Sequence, residues 1–305
     1  MKKLRIVFMG TPSFATTIFK ALVEACDVEV CALFTQPDKK SGRGQVLTAP
    51  HIKQFAQESN LKLDILQPEN IKESKEFIAS LKPDFIIVAA YGKILPLSIL
   101  QIAPCINLHA SLLPKYRGAS PIQQAILNND GYSGITAMKM NEGLDTGEML
   151  GFSYVFIKDL NSDALFHLLS KKAADLTLKV IRSYPYILPL KQNDAVSSKT
   201  AKIAKEDGMV DFNLTCKELR QKLLAFTPWP GVFLSSGLKL KSFECEETNH
   251  NSRTGVIVQV DQKEAVVTCA DGYVKLFRVA AASKQETDAL SYINGKRIGV
   301  GDTFY

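Results

Sequence analysis

The sequence predicts an α/β protein in two parts, a mostly parallel sheet flanked by helices followed by a small β-barrel. Three observations carry this expectation. Up to residue 184, apolar β-type runs alternate with helical patterns, the rhythm of βαβ units around a parallel sheet. From Met209 onward the rhythm changes to one short helix and closely spaced β-type runs, which suit a small closed barrel of five or six strands. The length of 305 residues also exceeds one ordinary core, at a prior of roughly 150 residues per domain.

In chain order, strands are expected at 4–8, 28–34, 63–66, 85–89, 105–108 and 135–140. Helices are expected near 13–25, 51–59, 74–81 and 121–128, the last opening on Pro121, where a missing N–H costs nothing. A longer helix starts at Ser162, a good N-cap, and runs towards Tyr184. "YPYILPLKQNDAVSSKTAKIAKEDG" then breaks the pattern with prolines, polar residues and spaced lysines. The expected division is therefore a domain at 1–184, a linker at 185–208 and a second domain at 209–305. In that second domain "TCKELRQKLLAF" reads as a helix, with strands at 232–234, 239–243, 255–260, 265–268 and 273–279.

Composition excludes several classes. Hydrophobic content of 46% and charged content of 22% fit a soluble globular chain, not a disordered one. The basic start leads into an apolar run, 4–9, too short for a secretory signal core of about 7–15 residues, and no stretch approaches the roughly 18 of a membrane span. A cytoplasmic protein is expected. Six cysteines without a C-x-x-C pair suggest no metal cluster and no redox motif, but reduced, buried thiols. A net charge of +6 is too mild for a nucleic-acid stripe, so any RNA contact must use local patches.

The first strand ends in "FMGTPSFA", where a dinucleotide fold would carry G-x-G-x-x-G. With Gly10 alone, NAD or FAD is not expected there, and neither is a Walker A nucleotide. Gly10-Thr11-Pro12 reads as a tight turn into a helix.

The stretch "CINLHASLLPKYRGASPIQ", residues 105–123, carries the chemistry. On a strand, Asn107 and His109 share one face, with Ser111 following on it, because side chains alternate with period two. An amide beside an imidazole suits an oxyanion site with proton transfer near neutral pH. The same pair could simply cap a loop. "NEGLDTGEML" then places Asp145 in a Gly-rich loop just after a strand, where catalytic residues gather but where an Asx-turn is equally ordinary. Amide, imidazole and carboxylate together form an acyl-transfer set without a nucleophile, since no G-x-S-x-G elbow surrounds Ser111.

"NLHASLLPKYRGASPIQ" with "GLDTG" resembles the folate-dependent formyltransferases, and "FTQPDKKSGRGQ", "VAAYGKILP" and "LLAFTPWPGVF" extend the resemblance to the methionyl-tRNA formyltransferase family over nearly the whole chain. The resemblance implies a Rossmann-like N-terminal domain and an OB-like C-terminal barrel. It also implies 10-formyltetrahydrofolate as donor, methionyl-initiator tRNA as acceptor, and catalysis by Asn107, His109 and Asp145. For the donor, Gly92 permits close backbone approach, and Ile94, Leu95 and the turn of Ser111, Leu112, Leu113 and Pro114 suit an apolar slot for a pterin. The long connection 35–47 offers Lys39, Lys40 and Arg43 as a basic finger for tRNA, or else as a solvated loop. No metal, no NAD, no membrane and no obligate protein partner are expected. A sugar-nucleotide formyltransferase or a formylfolate hydrolase would use the same three residues. An RNA-binding module with a vestigial α/β domain is the reading from a different class.

Overall fold

The computed structural model describes residues 2–41, 44–262 and 264–305. In chain order its elements are β1 (Leu4–Gly10), α1 (Ser13–Glu24), β2 (Val28–Phe34), β3 (Lys39–Ser41), β4 (Val46–Thr48), α2 (His51–Glu58), β5 (Asp64–Leu66), α3 (Lys75–Ser80), β6 (Phe85–Ala89), α4 (Leu97–Leu100), β7 (Cys105–His109), β8 (Arg117–Gly118), α5 (Pro121–Leu127), β9 (Tyr132–Lys139), β10 (Met149–Phe156) and α6 (Ser162–Ser183). After these come β11 (Lys199–Thr200), α7 (Cys216–Phe226), β12 (Val232–Phe233), β13 (Lys239–Glu247), β14 (Ile257–Val260), β15 (Ala265–Cys269), β16 (Gly272–Ala280), β17 (Thr287–Asp288) and α8 (Ala289–Lys296).

Two compact units arise. One comprises the chain up to Pro121 with Tyr132–Phe156 and Leu165–Ala201; the other comprises Ile122–Gly131, Ile157–Ala164 and Lys202–Tyr305. The first is built on a seven-stranded sheet of order β10-β9-β7-β6-β1-β2-β5. Strands from β5 to β7 run parallel, whereas β9 and β10 join antiparallel at one edge. The central strands are apolar through their middles because both faces are covered: Ile6, Phe8, Ile86 and Ile87 are all buried. Helix α1 presents Phe14, Ile18, Phe19 and Leu22 at helical spacing to this core.

The described structure departs from expectation here, beyond the short elements α4, β8 and β11, in the following ways. Residues 149–156 form an edge strand where none was expected. Ser111 lies beyond the end of β7, in a turn, so it does not continue the strand face. The connection after β2 contains an antiparallel ribbon, with Lys39 opposite Thr48 and Lys40 opposite Leu47. Its root is fastened where Asp38 accepts hydrogen bonds from Lys53 (2.9 Å) and Gln67 (2.7 Å). The Gln67 amide and then the Lys53 ammonium hold the Asp38 carboxyl below its ordinary value. A carboxylate depressed in this way contributes stability above the ordinary aspartate pKa of about 3.9 and loses it as pH falls through the folded value. Protection of the ribbon amides from exchange should therefore fall in acid, whereas in Asp38→Asn it should already be reduced at neutral pH and show no acid step; a ribbon with pH-independent protection in the parent would contradict this.

The second unit carries an antiparallel sheet of order β12-β13-β16-β15-β14, with β17 added on β16. Its inward residues, among them Leu240, Phe243, Val267, Val274 and Leu276, form one core with Leu219 of α7. Helix α7 starts in a capping box, in which Thr215 Oγ1 accepts from the Glu218 N–H (3.2 Å) and Glu218 Oε2 accepts from the Thr215 N–H (2.8 Å). A second helix, α8, was not expected. Asp288 caps it by accepting from the Ser291 N–H at 2.8 Å. The cysteines also differ from expectation: Cys105, Cys216 and Cys269 are buried, but Cys26 is exposed and Cys31 and Cys245 are intermediate. No helix among the described residues is long and apolar enough to cross a membrane.

Candidate active site

Parallel strands release their following loops at a common end, and in this sheet those loops touch one another. Thr11, just after β1, and Gln36, just after β2, both donate to the Tyr91 carbonyl beyond β6, at 3.2 and 2.9 Å. Strand β7 lies next to β6, with Asn107 opposite Val88, so Asn107 and His109 reach the same end of the sheet. This is where ligands bind in open α/β sheets.

Asp145 arrives from the other direction. Strand β9 pairs antiparallel with β7, Lys139 opposite Ile106 and Met138 opposite Asn107, so the loop between β9 and β10 starts beside the first residues of β7 and Asp145 reaches back to Asn107. There the Asp145 carboxylate accepts from Asn107 Nδ2 (3.3 Å) and from the Gly118 N–H (2.8 Å), and its Oδ2 lies 3.6 Å from His109 Nδ1. His109 is 6% exposed and its Nε2 sits 2.9 Å from the Tyr116 carbonyl. A carbonyl only accepts, so Nε2 carries the hydrogen and Nδ1 is the edge left for chemistry. Two backbone positions are unusual: Asp145 and Tyr116 have φ of 52° and 61°, the left-handed region that non-glycine residues seldom occupy.

The structure separates the other sequence candidates. Ser111 is fully buried and its hydroxyl donates to the Lys115 carbonyl at 2.6 Å, a turn-forming role rather than a nucleophile's. Burial pushes the Cys105 thiol up to about 12, which leaves it protonated and inert at neutral pH. Among the proposed donor-binding residues, Gly92 has φ of 80° and is exposed, Ile94 is 77% exposed, and Leu95 is packed in the core beside Val88 and Tyr91. Leu112 and Pro114 are half-buried and Leu113 is buried, on the loop that leaves the same sheet end. Lys39 and Lys40 are exposed on the ribbon, and Arg43 lies outside the described residues.

Sequence reasoning missed the backbone partners, the Gly118 N–H and the Tyr116 carbonyl, which no residue type announces. It also missed Arg117 and Gln192. Arg117 is buried and donates through Nε to Gln192 Oε1 at 2.9 Å, and Gln192 Nε2 donates in turn to the Asp145 and Gly147 carbonyls, each at 2.8 Å. An arginine that close to "NLHASLLP" was the available signal for Arg117, and Gln192 carried none.

A model of the formyl transferase family matches residues 3–181, and one of the formyl transferase C-terminal domain matches 202–297. The chain is 49% identical to the methionyl-tRNA formyltransferase of a Nitratiruptor species, covering 99% of this chain and 100% of that protein. It belongs to the methionyl-tRNA formyltransferase family. Within that family, the enzyme of Wolinella succinogenes is 48% identical, again over 99% of this chain and 100% of the relative. The fold is shared more widely. An N-formyltransferase from Helicobacter canadensis, solved with folinic acid and dTDP-3-aminofucose, superposes with a TM-score of 0.66 at 18% identity, over 90% of this chain and 99% of that one.

Proposed function

We infer that this chain transfers a formyl group from 10-formyltetrahydrofolate to the α-amino group of methionyl-initiator tRNA, in the cytoplasm. The observation that carries this reading is the convergence of Asn107, His109 and Asp145 at the sheet end, in a chain whose relatives of equal length are methionyl-tRNA formyltransferases. The neutral amine attacks the formyl carbon, a C–N bond forms, and the carbonyl oxygen becomes an oxyanion. The bond from carbon to the folate nitrogen then breaks, and the attacking nitrogen's proton passes to the leaving nitrogen. No covalent enzyme intermediate is needed.

Each residue has a part suited to its surroundings. Asn107 Nδ2 spends one hydrogen on Asp145 and has a second for the oxyanion. His109, anchored through Nε2, contributes its proton from Nδ1, where Asp145 stabilises the imidazolium. Asp145, held by the Gly118 N–H, relays the amine's proton through water. For the donor, the exposed Gly92 and Ile94 with the half-buried Leu112 and Pro114 offer open backbone and apolar surface, whereas Leu95, Ser111 and Leu113 are buried and would hold that surface in place. Mass spectrometry of methionyl-tRNA incubated with the protein and 10-formyltetrahydrofolate tests the reading. A mass gain of one formyl group supports it, and formylation of a sugar-nucleotide amine instead, or hydrolysis alone, sinks it.

The ribbon gives a separate test. Lys39, Lys40 and Arg43 serve as the tRNA contact in this reading, with Arg43 near the acceptor end. Arg43→Ala should slow formylation of initiator tRNA at least about tenfold, in keeping with about 1.5–3 kcal/mol for a hydrogen bond to a charged group, with formylfolate affinity unchanged. Lys39→Ala and Lys40→Ala should mainly flatten the salt dependence of tRNA binding, by about 0.7–0.9 in slope per lost phosphate contact. Equal loss of folate binding in Arg43→Ala would show that the ribbon is not an RNA contact.

A further inference from the structure

Gln192 stands in a stretch whose composition marks it only as a connection, yet all of its side-chain polar capacity is spent beneath the reacting carboxylate. Its two amide hydrogens go to the carbonyls of Asp145 and Gly147, both at 2.8 Å, and its oxygen accepts from Arg117 Nε at 2.9 Å. A guanidinium can only donate, so the amide oxygen must face Arg117 and the NH₂ group must face the loop. Arg117 is itself fixed: it is 6% exposed, and its second arm donates to Asp194 at 2.7 Å.

The segment bearing Gln192 is fastened on both sides. Before it, Leu190 and Met149 exchange backbone hydrogen bonds of 2.8 and 2.9 Å. After it, Ser198 accepts from the N–H groups of Tyr116 and Arg117, each at 2.8 Å, and β11 pairs with β8. Gln192 thus joins two loops. One follows β7 and supplies the Tyr116 carbonyl that anchors His109; the other follows β9 and carries Asp145. The second loop needs holding, because Asp145 sits at φ 52° and Gly147 is pressed so near β9 that a Cβ would lie 1.8 Å from the Lys139 carbonyl oxygen.

We propose that Gln192 is a positioning residue for formyl transfer. Its amide, oriented by Arg117, holds the Asp145 backbone in the left-handed conformation that aims the carboxylate at Asn107, the Gly118 N–H and His109. The proposal rests on the functional reading above, since it assigns Asp145 a part in the reaction. Misplacement of a reacting group by about 1 Å can cost about 10²-fold in rate, which is the scale at stake.

Gln192→Glu is the discriminating variant. It keeps the size of the side chain and its contact with Arg117, but turns only acceptors towards the two carbonyls. Expected are a fall in kcat of about 10²-fold, a KM for 10-formyltetrahydrofolate within about threefold of the parent, and amide exchange across 141–150 at least about tenfold faster with β7 unaffected. Gln192→Ala should show the same split, and it stands in if the glutamate variant does not fold. Unchanged kcat in a folded variant overturns the proposal. So does a loss shared equally between kcat and KM with exchange accelerated throughout the sheet, which marks a merely structural residue. If the unaltered chain formylates no methionyl-tRNA, the functional reading fails, while the exchange pattern still reports whether Gln192 holds the loop.

Discussion

Asp145→Ala is expected to reduce the rate of formyl transfer by about 10³–10⁴-fold, the cost found when the carboxylate orienting a catalytic histidine is neutralised. The carboxylate is the meeting point of the site. It accepts from Asn107 at 3.3 Å and from the Gly118 N–H at 2.8 Å, and it stands 3.6 Å from His109 Nδ1. In the proposed mechanism its loss leaves the Asn107 amide without its orienting partner, the imidazolium without a counter-charge and the amine's proton without a relay. Asp145→Asn should be nearly as damaging despite its shape, because an amide can neither take a proton nor balance His109⁺. Asn107→Ala and His109→Ala should each cost about 10²–10³-fold, the usual loss for one oxyanion donor. Single-turnover formylation checks all four, with folding verified by thermal melts. Near-native turnover in any variant removes that residue from the scheme.

Gly10→Ala is expected to destabilise the first unit by about 1–3 kcal/mol, the usual cost of forcing a methyl into a packed core. A Cβ at Gly10 would meet the Ala15 Cβ at 2.5 Å, Phe8 Cε1 at 2.8 Å and the Ala89 carbonyl oxygen at 2.9 Å. Two of these belong to rigid neighbours, α1 and β6, so relief requires the central strand to shift. Close packing of strand against helix and strand accounts for a glycine here. Denaturant unfolding should show a lower midpoint with an unchanged slope; a midpoint equal to the parent's would refute the packing argument.

Much of the parallel sheet was legible from the chain alone. Strand 85–89 occupies the residues expected of it because a strand buried on both faces is an unbroken apolar run, and strand 28–34 does so through its buried apolar second half despite the exposed Glu29 near its start. Edge strand β10 was not legible. "MLGFSYVF" points Phe152, Tyr154 and Phe156 to solvent, at 60%, 65% and 57% exposure, so apolar residues on its open face hide the alternation that marks a half-buried strand. Helix α8 escaped for a related reason. Its "ALSYINGK" buries only Ala289 and Ile293 and contains a glycine, so it lacks the apolar stripe that marks a helix.

In the candidate site the division follows interaction range. That Asn107 and His109 share a face is a consequence of strand parity, a property of five consecutive residues, and it could be read directly. Their meeting with Asp145, 38 positions from Asn107, depends on β9 pairing antiparallel with β7 at one register, and no local pattern encodes a register between distant strands. The same holds more strongly for Gln192. A glutamine amid prolines, lysines and serines is locally identical to a solvated one. Only the folded chain brings its amide between a buried guanidinium and two carbonyls, where desolvation makes those hydrogen bonds costly to lose. Residue chemistry and short-range periodicity were thus determined by the sequence itself, whereas the partners of each polar group were decided by long-range strand pairing and burial.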